Sequence, residues 1–171
     1  MLKKNKPLLI TPDWHFLCQH PAHLLAFGLG SGLSKRAPGT MGSLLAIPLY
    51  GLLSLFLSPL LIFIFAIMMF FVGVWAAGKT SRALGLNDYS GIVIDEIVAM
   101  WMVLAIAPST WLGVLSAFAL FRLFDILKPW PIRWFDQHIP GGLGVMVDDV
   151  IAALFVIIIL LGWKYSLSGY I

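Results

Sequence analysis

Five long apolar stretches decide what this chain can become. They run near Gly42–Leu57, Pro59–Ala77, Ile92–Ala107, Thr110–Leu127 and Asp149–Tyr165, each near the roughly 20 residues that a helix needs to cross a bilayer. Hydrophobic residues form 60% of the 171 and charged ones 11%, against about 25% charged in soluble domains. A soluble core of this size could not bury so much apolar surface. The fold class that follows is all-α, a polytopic membrane helical bundle with about five transmembrane helices. It forms a single domain over residues 1–171, with residues 1–20 as a cytoplasmic or interfacial N-terminal segment. The first stretch is short and holds Pro48, which tilts or kinks it.

Charge sets the sidedness. Ser58-Pro59 and Pro108-Ser109 are tight uncharged turns, whereas segments 78–91 and 122–148 carry Lys79, Arg82, Arg122, Lys128 and Arg133. The N-terminal segment adds Lys3, Lys4, Lys6, Lys35 and Arg36. The positive-inside rule makes these segments cytoplasmic and leaves Lys164 outside, so ten of eleven basic residues share one side. Residues Pro21–Phe27 form an interfacial or re-entrant helix, and Trp130, Trp134 and Phe135 mark a second helix in the cytoplasmic interface. A net charge of +3 without a basic aromatic stripe suits anionic lipid and excludes nucleic acid as a partner. The lone Cys18 excludes an internal disulfide.

Against this apolar background, seven of eight acidic residues border the apolar runs: Asp88, Asp95, Glu96, Asp125, Asp136, Asp148 and Asp149. Ionisable groups there are costly and mark functional sites. Asp95-Glu96 lies about one turn inside the third stretch, Asp125 one turn before the end of the fourth, and Asp148-Asp149 at the start of the fifth. Three helices thus bring acid to one cytoplasmic depth. A hard divalent cation needs such oxygen ligands, and Mg²⁺ is held by one or two carboxylates plus a substrate phosphate. The candidate metal ligands are Asp95, Glu96, Asp149 and Asp148, with Asp125 beside them as a catalytic carboxylate. A plainer account has Asp148 and Asp149 complementing a helix dipole, but it does not reach Asp125, which sits near a helix C-terminus.

The run Gly28–Ser43 is dense in glycine and hydroxyls and carries Lys35 and Arg36. Such backbone presents N–H groups to phosphate, or simply turns the chain into the bilayer. Lys35, Thr40 and Ser43 are candidate substrate-binding residues. Arg122 suits phosphate through its planar fork or pairs with Asp125 at i,i+3 spacing; Lys128 is a further phosphate ligand or a snorkelling boundary lysine. His15, His20 and His23 share no helical face and, with one cysteine, do not make a zinc site. His138 reads as interfacial, like them. Gly141-Gly-Leu-Gly144 lets backbone approach the acids or merely leads into the fifth stretch. The chain lacks a Walker loop, the arginine of a cysteine-phosphatase loop, an Asp-x-Asp nucleophile pair, the histidine-phosphatase motifs and the signature of CDP-alcohol phosphatidyltransferases. An ion-coupled transporter remains an alternative class, although it favours acids nearer mid-membrane.

Four ordered blocks carry a family likeness. They are Gly30-Ser-Gly-Leu-Ser34 with Ala37-Pro-Gly-Thr-Met-Gly-Ser43; Ile92-Val-Ile-Asp-Glu-Ile-Val98 with Trp101; Phe121-Arg-Leu-Phe-Asp-Ile-Leu-Lys-Pro-Trp-Pro-Ile132; and Gly141-Gly-Leu-Gly-Val-Met-Val-Asp-Asp-Val150. Across Pro21 to Leu161 the chain resembles bacterial phosphatidylglycerophosphatase A. It departs at Lys35, where the family often has Pro, and at Ala99 and Ala153, where it often has Gly. The resemblance implies a Mg²⁺-dependent enzyme of the bacterial inner membrane, its site facing the cytoplasm. It would remove the terminal phosphate of phosphatidylglycerophosphate to give phosphatidylglycerol. A phosphatase acting on another lipid or isoprenoid phosphate shares the same chemistry.

Overall fold

The computed structural model describes residues 10–86 and 89–168. Lys3, Lys4, Lys6 and Asp88, which enter the sequence argument, lie outside the described residues. Among the described residues the chain is all-α. Its helices are α1 (Trp14–Cys18), α2 (Pro21–Ala26), a 3-10 turn (Gly28–Leu33), α3 (Pro38–Ser54), α4 (Pro59–Leu84), α5 (Ile94–Ile106), α6 (Trp111–Leu127), α7 (Ile132–His138) and α8 (Gly141–Ser168).

Local chemistry places the ends. Pro59 opens α4 behind Ser58, whose hydroxyl accepts from the Leu61 amide, and Thr110 caps α6 through the Gly113 amide at 3.1 Å. Both are N-cap hydroxyls that satisfy otherwise orphaned N–H groups. Gly85, at φ 72°, closes α4, with the Leu86 amide returning to the Ser81 carbonyl at 3.1 Å. That geometry needs the left-handed backbone glycine adopts at little cost.

Helix α5 is the centre. Ten of its thirteen residues are buried, and α3, α4, α6 and α8 all pack against it. A helix apolar on nearly every side must be enclosed. Trp101 ties it to α3 by donating its indole N–H to the Ala46 carbonyl at 3.0 Å. The surrounding helices turn apolar faces outward instead: on α4, Leu60, Ile64, Ile67, Met68, Phe71 and Trp75 are exposed at helical spacing. A stripe of that size would be an aggregation hazard in water and suits contact with lipid.

Helices α4 and α8, the latter over Gly141–Lys164, are long and apolar enough to cross a membrane. Helices α3 and α6 have 17 residues each and α5 has 13. At 1.5 Å per residue α5 is about 20 Å long, short of the hydrocarbon thickness of about 30 Å. It can be short because neighbouring helices shield it. Two expected boundaries are revised. Segment 78–91 begins as helix, since Lys79 and Arg82 lie in the last turns of α4. The glycines before Asp148 are helical too, so α8 starts at Gly141. Asp148 and Asp149 therefore sit about two turns inside a helix rather than at its start. Gly142 makes this possible, because a β-carbon there would strike the backbone of α4 at Val74 and Gly78.

Candidate active site

One end of the bundle gathers the start of α3, the end of α4, the start of α5, the last turns of α6 and the first turns of α8. Together with α7 they enclose a cavity of about 890 Å³. Five helices reach one place from alternating directions, so three positive N-terminal ends (α3, α5, α8) point toward it. That field favours carboxylates and phosphate alike.

Six carboxylates line the cavity: Asp95, Glu96, Asp125, Asp136, Asp148 and Asp149. Asp95 and Glu96 occupy the first turn of α5. Ligand oxygens of Asp95, Glu96 and Asp149 lie within 4.8 Å of one another, close enough to converge on one cation. Asp149 is 2% exposed, and Asp95 Oδ1, Glu96 Oε2 and Asp149 Oδ2 are buried with no hydrogen-bond partner among the described residues. A buried carboxylate oxygen without a partner costs on the order of several kcal/mol. Converging carboxylates that keep unpartnered oxygens are what a hard divalent cation relieves, so the residues fit Mg²⁺.

The rest of the cluster is held by two cations from α6. Arg122 Nη1 bonds Asp125 Oδ2 at 2.5 Å, lies 3.9 Å from Glu96 Oε1 and donates to Ser43 Oγ at 3.3 Å. Its Nε is buried without a partner among the described residues, an orphaned donor at an acid-lined cavity. Lys128 closes α6 with left-handed backbone at φ 42°. Its ammonium contacts Asp136 at 3.1 Å and also Asp148 Oδ2. Burial works against that charge, yet Asp148 and then Asp136 outweigh it and hold the Lys128 ammonium above the usual lysine range.

The expected site residues thus separate. Asp95, Glu96, Asp149, Asp148, Asp125, Arg122 and Lys128 meet in one cavity. Asp148, expected among the metal ligands, is turned to Lys128 through one oxygen, leaving Oδ1 buried and unpartnered. Ser43 is fully buried and donates to the Gly39 carbonyl at 3.0 Å while accepting from Arg122. It positions the arginine rather than facing the cavity. Lys35 is exposed, and neither it nor Thr40 lines the cavity.

Three contributors were not anticipated. Asp136, given no role from the sequence, anchors Lys128. Gly39 packs so closely on Glu96 that a β-carbon would overlap its Oε1; the Pro-Gly pair at a helix start was the available signal. His138 lines the cavity, with its Nδ1 2.7 Å from the Trp134 carbonyl. The other histidines stay away from the acids: His20 caps α2 and meets Lys79, and His23 bonds Thr80 at 2.9 Å.

Comparison with known proteins identifies the family. The chain is 46% identical over 147 residues to phosphatidylglycerophosphatase A of Haemophilus influenzae, covering 85% of this chain and 90% of the relative. It is 44% identical over 136 residues to phosphatidylglycerophosphatase A of Escherichia coli, covering 79% and 78%. A Bacteroides thetaiotaomicron protein provisionally named a phosphatidylinositol-3-phosphatase is 42% identical over 148 residues, covering 80% and 89%. No solved structure matches the chain. The phosphatidylglycerophosphatase A family model matches residues 24–164, a span that contains every carboxylate of the cavity together with Arg122 and Lys128, and the chain belongs to that family.

Proposed function

We propose that this protein hydrolyses the terminal phosphomonoester of phosphatidylglycerophosphate, releasing phosphatidylglycerol and phosphate with Mg²⁺ as cofactor. The observation that carries the reading is the pairing, in one cavity, of orphaned carboxylate oxygens with an orphaned Arg122 Nε–H. The first set calls for a cation and the second for an anion, and a phosphomonoester held beside a divalent ion meets both needs. The names of the Haemophilus and Escherichia relatives support the substrate.

Asp95, Glu96 and Asp149 would hold the ion. When bound, it supplies positive charge to the phosphoryl oxygens and lowers the barrier electrostatically. Arg122 donates from Nε to a phosphate oxygen, while Asp125 and Ser43 fix its other end. A carboxylate of the cluster takes the proton of the attacking water as the water oxygen bonds to phosphorus, the bond from phosphorus to the glycerol oxygen breaks, and the departing oxygen takes up a proton to give the alcohol. The positive ends of α3, α5 and α8 favour the charge that develops on phosphate.

The protein sits in the bacterial inner membrane as a multi-pass bundle, with α3, α4, α5, α6 and α8 crossing and the cavity facing the cytoplasm. Support comes from the alternating helix directions and from Lys79, Arg82, Lys128 and Arg133 gathering at the cavity end. Acyl chains of the lipid lie along the exposed apolar faces of the outer helices, so only the headgroup enters the wet cavity. The Bacteroides relative favours a second reading, in which another lipid phosphate is the substrate.

One assay separates these outcomes. Phosphate release from phosphatidylglycerophosphate in detergent should require Mg²⁺, stop in EDTA and fail in Asp95→Asn. Full turnover in EDTA would sink the metal assignment. Equal rates on a phosphoinositide would widen the substrate class.

A further inference from the structure

The six cavity acids do not share one environment. Asp125 is taken by Arg122, and Asp136 and Asp148 by Lys128. Asp95, Glu96 and Asp149 keep oxygens that no group among the described residues satisfies, as does Asp148 through Oδ1. The cluster is therefore divided into a triad whose ligand oxygens lie within 4.8 Å of one another and a set in which each carboxylate is held through one oxygen by one of the protein's own cations.

Sites with two divalent ions place them about 3.5–4 Å apart, bound by neighbouring carboxylates. Adjacent positions Asp148 and Asp149 on α8, with Asp136 across the cavity on α7, have the composition of such a second half-site. An ammonium fills it. Lys128 reaches there because α6 ends on it in left-handed backbone, an unfavourable conformation for a residue with a side chain. Two carboxylates from separate helices, α7 and α8, then close on one nitrogen.

We propose that Lys128 is a built-in second cation, so that the site takes one divalent ion per chain, at Asp95, Glu96 and Asp149. This rests on the Mg²⁺ reading above. The lysine balances Asp148 and Asp136 permanently, and Asp136 is a positioning residue that holds the ammonium against Asp148. Replacing the ammonium with an apolar side chain of similar length should free both carboxylates and open a second ion position.

The test counts ions rather than turnover. Mn²⁺ is titrated into the full-length protein in detergent micelles, and free Mn²⁺ is read by electron paramagnetic resonance. Wild type should bind one Mn²⁺ per chain, Lys128→Arg one, and Lys128→Met two. Asp148→Asn should keep the single ion with affinity within about threefold of wild type, whereas Asp149→Asn should lose it. Two ions in wild type, one ion in a folded Lys128→Met, or loss of the ion in Asp148→Asn would each overturn the proposal. If Lys128→Met does not fold, the wild-type count and Asp148→Asn still decide. Zero ions in wild type would instead refute the Mg²⁺ reading itself.

Discussion

Gly39→Ala should separate stability from function. Gly39 lies in the first turn of α3, and a β-carbon there would overlap Glu96 Oε1 and stand 3.3 Å from Arg122 Nη1. The overlapped atom is the end of a flexible side chain, so Glu96 rotates away and the helix remains. Helix propensity favours Ala over Gly by up to about 1 kcal/mol, so the metal-free protein should melt at the wild-type temperature or slightly above. The ion loses one of three carboxylates. Disturbing only the support of a ligand commonly weakens binding by about 10- to 100-fold, which is about 1.4 to 2.8 kcal/mol; displacing a ligand should cost at least this. The Mg²⁺ concentration at half-maximal phosphate release should therefore rise by at least about tenfold, with a parallel shift in a Mn²⁺ titration and an unchanged or higher Tm in EDTA. A wild-type Mg²⁺ midpoint in Gly39→Ala would refute the packing argument. A collapsed Tm would show that the glycine serves the backbone instead.

Other consequences are smaller in scope. Arg122→Ala removes the orphaned donor and should lower kcat by about 10²- to 10³-fold, while Lys164→Ala, at the far end of α8, should leave kcat unchanged; equal losses would contradict the assignment of the cavity end. Mg²⁺ at about 100 times its Kd should stabilise the protein by about 2.7 kcal/mol, seen as a Tm rise that Asp149→Asn abolishes, and a persistent rise would place the ion elsewhere. Burial, followed by His20 and Lys79, holds the His23 imidazole below the ordinary histidine value. The unfolded chain therefore binds more protons below about pH 6.5. Stability from this residue is complete above that pH and declines as pH falls. His23→Gln should flatten the Tm profile between pH 7 and pH 5, and parallel profiles would exclude His23 as the source.

What could be read in the chain follows from the range of each signal. Apolar runs and proline or serine starts act locally, so the helices fall where the runs predict, and paired acids at their ends announce Asp95, Glu96 and Asp149. Position within α8 was misjudged because Gly141, Gly142 and Gly144 look like loop in isolation; the close face of α4 that calls for a glycine at Gly142 is not visible in the sequence. Ser43 shows the same limit. A hydroxyl in a glycine-rich run suits phosphate, but its proton goes to the Gly39 carbonyl four residues back and its lone pair to an arginine 79 positions away. Asp136 stood out in the sequence only as one more acid beside an apolar run; its pairing with Lys128, which also holds Asp148, arises only when α7 folds across the cavity.

The turn of α3 from Gly39 to Ser43 touches both halves of the chemistry. At one end its bare backbone leaves room for Glu96, and at the other its hydroxyl steers Arg122. The proposed cation ligand Glu96 and the proposed phosphate donor Arg122 thus both lean on a single piece of α3, whose outer residues Met41 and Leu44 are exposed. A shift of α3 by even a fraction of a turn would misalign both together. Bilayer thickness or lipid packing that tilts this helix would therefore act as a rheostat on turnover, not as a selective loss of ion or substrate binding.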